Sequence, residues 1–98
     1  MKFEVYGKPG CAKCKSTKDK LTHLLARAVG GVDVALAFHD VDTVEGMAES
    51  ALNDVRDVPT VILRGDAGEA VARWEGRVPP SVEVQAFLGP GGHATAAE

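Results

Sequence analysis

Cysteine is scarce in this chain: its 98 residues hold two, Cys11 and Cys14. That excludes a secreted disulfide scaffold, which needs several bridges spread along the chain. A bridge between residues only three apart closes almost no loop and would stabilise the fold little, so redox chemistry or metal binding remains. Aromatics are also few, 5% of residues, and no apolar run approaches the ~20 residues that cross a bilayer. The start, Met1 to Tyr6, lacks the apolar stretch of a signal peptide. A cytoplasmic protein with no membrane partner is the expectation. Net charge is −3, which argues against nucleic acid as a partner.

What is present suffices for one modest core, since 45% of residues are apolar. Phe3 and Val5 alternate with Glu4 and Tyr6, so residues 2–6 predict a strand. Gly7 to Gly10 is a dense breaker cluster and predicts a loop. From Ala12 the pattern turns helical, with Leu21, Leu24, Leu25, Ala28 and Val29 in one apolar stripe that Cys14 extends, ended by Gly30-Gly31. Val32 to Asp42 predicts a second strand. Thr43 then caps a second helix with Val44, Met47, Ala48, Ala51 and Val55 on one side. Val58 to Leu63 is a third strand, Gly65 to Gly68 a hairpin turn, and a fourth strand runs through Val71 and Trp74. Ser81 to Leu88 predicts a final short helix. The order is β-α-β-α-β-β-α: an α/β domain over residues 1–88 with a mixed four-stranded sheet and helices on both faces. The Gly-, Ala- and Pro-rich residues 89–98 predict a mobile tail.

Charge is distributed unevenly along this frame. Residues 1–20 carry six lysines against Glu4 and Asp19, while the rest of the chain is acidic. The cationic end is the one that holds both cysteines. Cys11 falls where the first strand hands over to a helix, and unpaired N–H groups and the helix dipole there favour a thiolate. Lys8, Lys13 and Lys15 push the same way. Cys14 is one helical turn further on, facing Cys11, so the two sulfurs can bond with little backbone movement. The exposed Cys11 is therefore the nucleophile and the more buried Cys14 resolves the mixed disulfide. A Cys-x-x-Cys between strand and helix in a βαβ unit is a stronger redox signal than the motif alone.

Pro59, in Asp57-Val58-Pro59-Thr60, is unusual at the start of an apolar strand because it cannot donate to the sheet. It reads either as a plain strand-start proline or as a cis-proline opposite the dithiol that presents the backbone of Val58 to an extended substrate. Tyr6 reads as a strand residue beside the site, and Trp74 as packing on the sheet edge or, less simply, as part of a substrate groove. His23, His39 and His93 are scattered and read as surface or partly buried. Glu4 on a central strand is the oddest residue. A helix end, a wet edge and a base for Cys14 are its three readings.

The stretch Val5-Tyr6-Gly7-Lys8-Pro9-Gly10-Cys11-Ala12-Lys13-Cys14 resembles the active-site start of glutaredoxins, and more closely that of the glutaredoxin-like NrdH-redoxins. Val58-Pro59-Thr60 is similar to the cis-proline motif of the thioredoxin superfamily, and Trp74 to Pro79 is a looser echo of the redoxin Trp-Ser-Gly-Phe-Arg-Pro stretch. The resemblance implies a thioredoxin fold, a cis Pro59, and a thiol–disulfide oxidoreductase that reduces protein disulfides through Cys11 and Cys14. Lys8, Pro9, Lys13, Val58, Pro59 and Thr60 would shape its substrate site. It implies no tightly bound cofactor beyond the redox-active disulfide, client proteins with disulfides as partners, and a monomer.

The sequence also departs from the pattern. Gly10 replaces the thioredoxin Trp and Val5 its buried Asp, while Glu75 and Val78 break the redoxin stretch. Arg64 to Gly68 does not reproduce the glutathione-holding Gly-Gly and acidic pair of glutaredoxins. That argues against glutathione and for a thioredoxin-reductase-like flavoprotein as electron donor. The rival from another class is a soft-metal carrier holding Cu(I) or Zn between the same two thiolates. Pro9 stands where such carriers favour Met, and a structural zinc site needs four ligands.

Overall fold

The computed structural model describes residues 1–27 and 34–88. The element order is β1 (Lys2–Gly7), α1 (Ala12–Arg27), β2 (Ala35–Asp40), α2 (Val44–Leu52), β3 (Thr60–Arg64), β4 (Ala70–Glu75) and α3 (Ser81–Phe87). The strands lie in the order β2-β1-β3-β4, with β1 and β2 parallel and the other pairs antiparallel. This is the mixed four-stranded sheet that the pattern predicts. The Gly30-Gly31 stop, Ala28, Val29, the strand start at Val32, and the tail with His93 lie outside the described residues. Among the described residues no helix is long and apolar enough to cross a membrane.

The period of two in β1 sorts the sheet into unlike faces. Phe3 and Val5 point to one side, where they join Leu21 of α1, Val61, Leu63, Trp74, and Val84 and Leu88 at the C-terminal helix. All eight are buried. Trp74 stacks near Phe3 with ring centroids 6.5 Å apart, meets Phe87 edge-on at 6.1 Å, and donates its indole N–H to Glu83 at 2.7 Å. It is therefore a core residue that ties β4 to α3, and the groove reading for it is set aside.

The other face is built from hydrogen bonds. Arg64 Nε donates to Glu4 at 2.9 Å, and Arg64 Nη2 donates to the Asn53 side-chain oxygen. Asn53 donates in turn to the Tyr6 hydroxyl at 3.1 Å, and His39 stacks on Tyr6 with centroids 4.6 Å apart. His39 and Lys2 each stand 3.4 Å from the second Glu4 oxygen. Glu4 is thus the hub of a charged cluster on the side of β1 away from α1, which answers the puzzle of its position and removes it from the cysteines. Burial pushes the Tyr6 hydroxyl up, and the Glu4 charge adds to that.

Helix α2 departs from expectation. Its apolar stripe predicts a core-facing side, yet Val44, Met47 and Leu52 are 74%, 53% and 79% exposed. The helix is held by other means. Thr43 caps it by accepting from Gly46 N–H at 2.9 Å, Gly46 sits against the Asp40 carbonyl, and Asn53 anchors its end. Arg73 of β4 donates to the carbonyls of Asn53 and Asp54 at 2.7 Å each, closing the helix C-terminus three residues before Val55. Contact through a glycine brings backbone to backbone, so the side turned to the sheet has no room for large apolar side chains.

Two outcomes follow from these contacts. In an open helix Gly→Ala adds about 1 kcal/mol of stability. Gly46→Ala should instead cost about 3 kcal/mol or more, because the new Cβ meets backbone that cannot yield; chemical denaturation reads the sign directly. The second concerns acid. Burial raises the Glu4 carboxyl, but the Arg64 hydrogen bond and the charges of Lys2 and Arg64 outweigh it and hold the group below its ordinary 4.5. A carboxyl lowered on folding adds stability above its unfolded value and loses it as pH falls through the folded one. Glu4→Gln should therefore cost about 1–3 kcal/mol at neutral pH. Its urea midpoint should converge on that of the wild type as pH drops below 4.5.

Candidate functional site

The site lies where β1 ends and α1 begins. Lys15 N–H donates to the Cys11 carbonyl at 3.0 Å, the first bond of α1, which makes Cys11 the capping residue. Its Sγ takes the place of a capping oxygen: Cys14 N–H donates to it at 3.2 Å. The two cysteines form a disulfide with Cα atoms 5.2 Å apart. Cys11 is half-buried at the rim, whereas Cys14 is 1% exposed. The asymmetry expected of an attacking and a resolving sulfur is thus present in the fold.

Beneath the pair, Gly7 closes the strand. A Cβ on Gly7 would lie 2.8 Å from Cys14 Sγ and 3.3 Å from the Phe38 ring, so a side chain larger than hydrogen would displace the sulfur. Gly10 has φ +81°, a left-handed conformation that side-chain-bearing residues rarely adopt. This accounts for glycine in place of the thioredoxin tryptophan.

The expected site residues do not all meet. Lys8, Pro9, Cys11 and Cys14 line one groove of about 300 Å³, together with Gly10, Lys15, Lys18 and Phe38. Lys13 is exposed and lies outside that lining. The Val58–Pro59 peptide is cis. Thr60 pairs with Tyr6 across β1 and β3, which sets Pro59 at the same end of the sheet as Gly7 and the sulfurs. Pro59 is buried and its carbonyl accepts from Gly76 N–H at 2.8 Å. Thr60 is equally buried, its hydroxyl spent on the Asp57 carbonyl at 2.6 Å, so it shapes the loop from inside. Val58 is half-buried, and among the described residues its backbone N–H and carbonyl have no backbone hydrogen bond.

Phe38 and Lys18 were not legible as site residues. Phe38 reads from sequence as an ordinary strand residue and Lys18 as a solvated helix face. In the structure Phe38 pairs with Val5 on the α1 side of the sheet, and Lys18 Nζ sits 5.3 Å from its ring centroid. The one available signal was spacing: Lys18 follows Cys14 by four residues and shares its helix face. Among the described residues no three His, Cys, Asp or Glu side chains are grouped to hold a metal.

Comparison with known proteins agrees with this geometry. The family described as thioredoxin domain matches residues 1–89. No curated protein matches the chain. Thioredoxin 1 from the thermophilic eubacterium Thermosipho africanus is similar at 26% identity and a TM-score of 0.67, over 86% of this chain and 85% of that one. The glutaredoxin-like NrdH-redoxin from Escherichia coli is similar at 26% identity and a TM-score of 0.51, over 84% and 90%. A thioredoxin from Thermus thermophilus shares the fold at 24% identity and a TM-score of 0.57, over 96% and 78%. With a matched domain that spans the sheet, all three helices and the paired sulfurs, the chain belongs to the thioredoxin-domain family, as a glutaredoxin-like member whose Cys11–Cys14 pair supports thiol–disulfide redox activity.

Proposed function

We propose that this protein reduces disulfides in client proteins by a two-cysteine exchange. The observation that carries the reading is the position of Cys11 Sγ, at the rim of the groove and on the cap of α1, with Cys14 N–H aimed at it. In the reduced state a capping N–H, the helix dipole and the neighbouring lysines all favour the thiolate over the thiol. The Cys11 thiolate attacks one client sulfur. A Cys11–client bond forms, the client disulfide breaks, and the departing sulfur takes a proton. Cys14, held against Gly7 within bonding reach, then attacks Cys11 Sγ. The Cys11–Cys14 bond forms, the second client thiol leaves, and two electrons have passed to the client.

The client lies along Val58, whose backbone N–H and carbonyl are available to an extended segment in the manner of an added strand. The NrdH-redoxin similar to this chain is described as having a thioredoxin-like activity profile. On that support we assign re-reduction, which needs two electrons and two protons, to a thioredoxin-reductase-like flavoprotein rather than to glutathione. The working protein in this reading is a cytoplasmic monomer whose only redox group is the dithiol.

The assignment of roles has a direct check. Cys11→Ser should abolish reduction of a protein disulfide such as that of insulin, whereas Cys14→Ser should accumulate a stable mixed disulfide with the client, visible by non-reducing gel and mass spectrometry. Turnover by Cys11→Ser at the wild-type rate would refute the exchange. Retention of metal by the reduced wild-type protein, with no disulfide formed on oxidation, would favour the carrier instead.

A further inference from the structure

The groove beside the sulfurs is lined by both cationic and apolar side chains, and no carboxylate lines it. Lys8, Lys15 and Lys18 supply the charge; Phe38 and Pro9 supply the apolar surface. Among the described residues, only Lys15 of the three lysines has an acidic partner, Asp19 at 2.9 Å. Lys8 and Lys18 have no ion pair among the described residues. Lys18 lies over the Phe38 ring at 5.3 Å, which holds its ammonium near the groove. Phe38 itself is 38% exposed, a large ring left uncovered next to the reacting sulfurs.

We infer that this groove selects client segments that carry acidic side chains next to the target disulfide. The inference rests on the disulfide-reductase reading and adds the class of client. An acidic flank gives Lys8 and Lys18 the counter-charges they lack, while its backbone and apolar atoms cover Phe38. A basic flank places like charges together in a partly desolvated groove, where repulsion is costly. The effect falls mainly on association, because exposed charges steer approach over roughly 10 Å at moderate salt.

The test uses two synthetic peptides, each with one cysteine joined to mercaptoethanol. One is flanked by Asp and Glu, the other by Lys, and each rate is divided by that peptide's rate with dithiothreitol to remove intrinsic reactivity. Bis(2-hydroxyethyl) disulfide serves as an uncharged substrate. At low salt the pre-reduced wild-type protein, freed of reductant and mixed in a single turnover, should prefer the acidic peptide by about tenfold in second-order rate constant. The ratio should fall toward one at high salt and in the Lys8→Gln/Lys18→Gln protein, whatever that variant does to the absolute rate. Equal treatment of the two peptides, with both reduced, would overturn the inference and leave the reductase intact. A preference that persists undiminished in the variant would overturn the assignment to these lysines. Failure to reduce any of the three substrates would overturn the reductase reading itself.

Discussion

The last residue of β1 and the third residue of α1 compete for one small volume. Cys14 Sγ lies 2.8 Å from where a Cβ of Gly7 would be, too close for any side chain there, and Phe38 closes the same space from the next strand. That contact fixes how deep α1 sinks toward the sheet, and hence the height of its first turn. Cys11 then sits one turn up with its sulfur on the helix cap, neither buried with Cys14 nor free in solvent. The unequal exposure of the two sulfurs is in this sense a packing result. It needs a glycine at the strand end more than any particular chemistry in the strand.

The two faces of the sheet are stabilised by different physics, and the division protects the site. Apolar burial under α1 and α3 is non-directional and strong per unit area, and it holds the element that carries the cysteines. The α2 face relies on Glu4, Arg64, Asn53 and Tyr6, which are directional and costly to leave unpaired. A rearrangement of α2 would therefore unbalance the charged cluster before it disturbed the dithiol, because the cluster faces the opposite side of β1. The apolar residues of α2 point outward, so that helix contributes to the fold through its backbone and its end rather than through its stripe.

This separates what could be read in the sequence from what could not. Strand alternation in β1, the breakers before α1 and the stripe through Leu21 are one-dimensional signals, and each became the expected element except that Gly7, read as loop, closes the strand. The Cys-x-x-Cys was readable because its meaning depends on local geometry: three residues, one turn, one helix end. The orientation of α2 was not readable, since a stripe of Val44, Met47 and Ala51 reports amphipathicity and not which side meets the sheet. Gly46 decides that, and only once the Asp40 carbonyl is brought to it. Glu4 was equally opaque, because Arg64 and Asn53 stand 60 and 11 positions apart along the chain from their partners in the cluster. Phe38 failed for the same reason: a strand position says which face a ring occupies and nothing about the groove that face will border.

The charges of α1 run against its own stability. Its first turn holds no acidic residue, although the positive end of a helix dipole favours them. Lys13 and Lys15 stand there instead, and each unfavourable placement costs a few tenths of a kcal/mol. The Lys15–Asp19 pair returns part of that, at the modest level of an exposed i,i+4 bridge. The remainder is carried by the apolar side of the helix at Leu21, whose burial is worth about 2 kcal/mol. What the arrangement does is add positive potential at Cys11, where the capping N–H and the dipole already point. A helix built for stability alone would reverse those charges, and the positive potential at Cys11 would go with them.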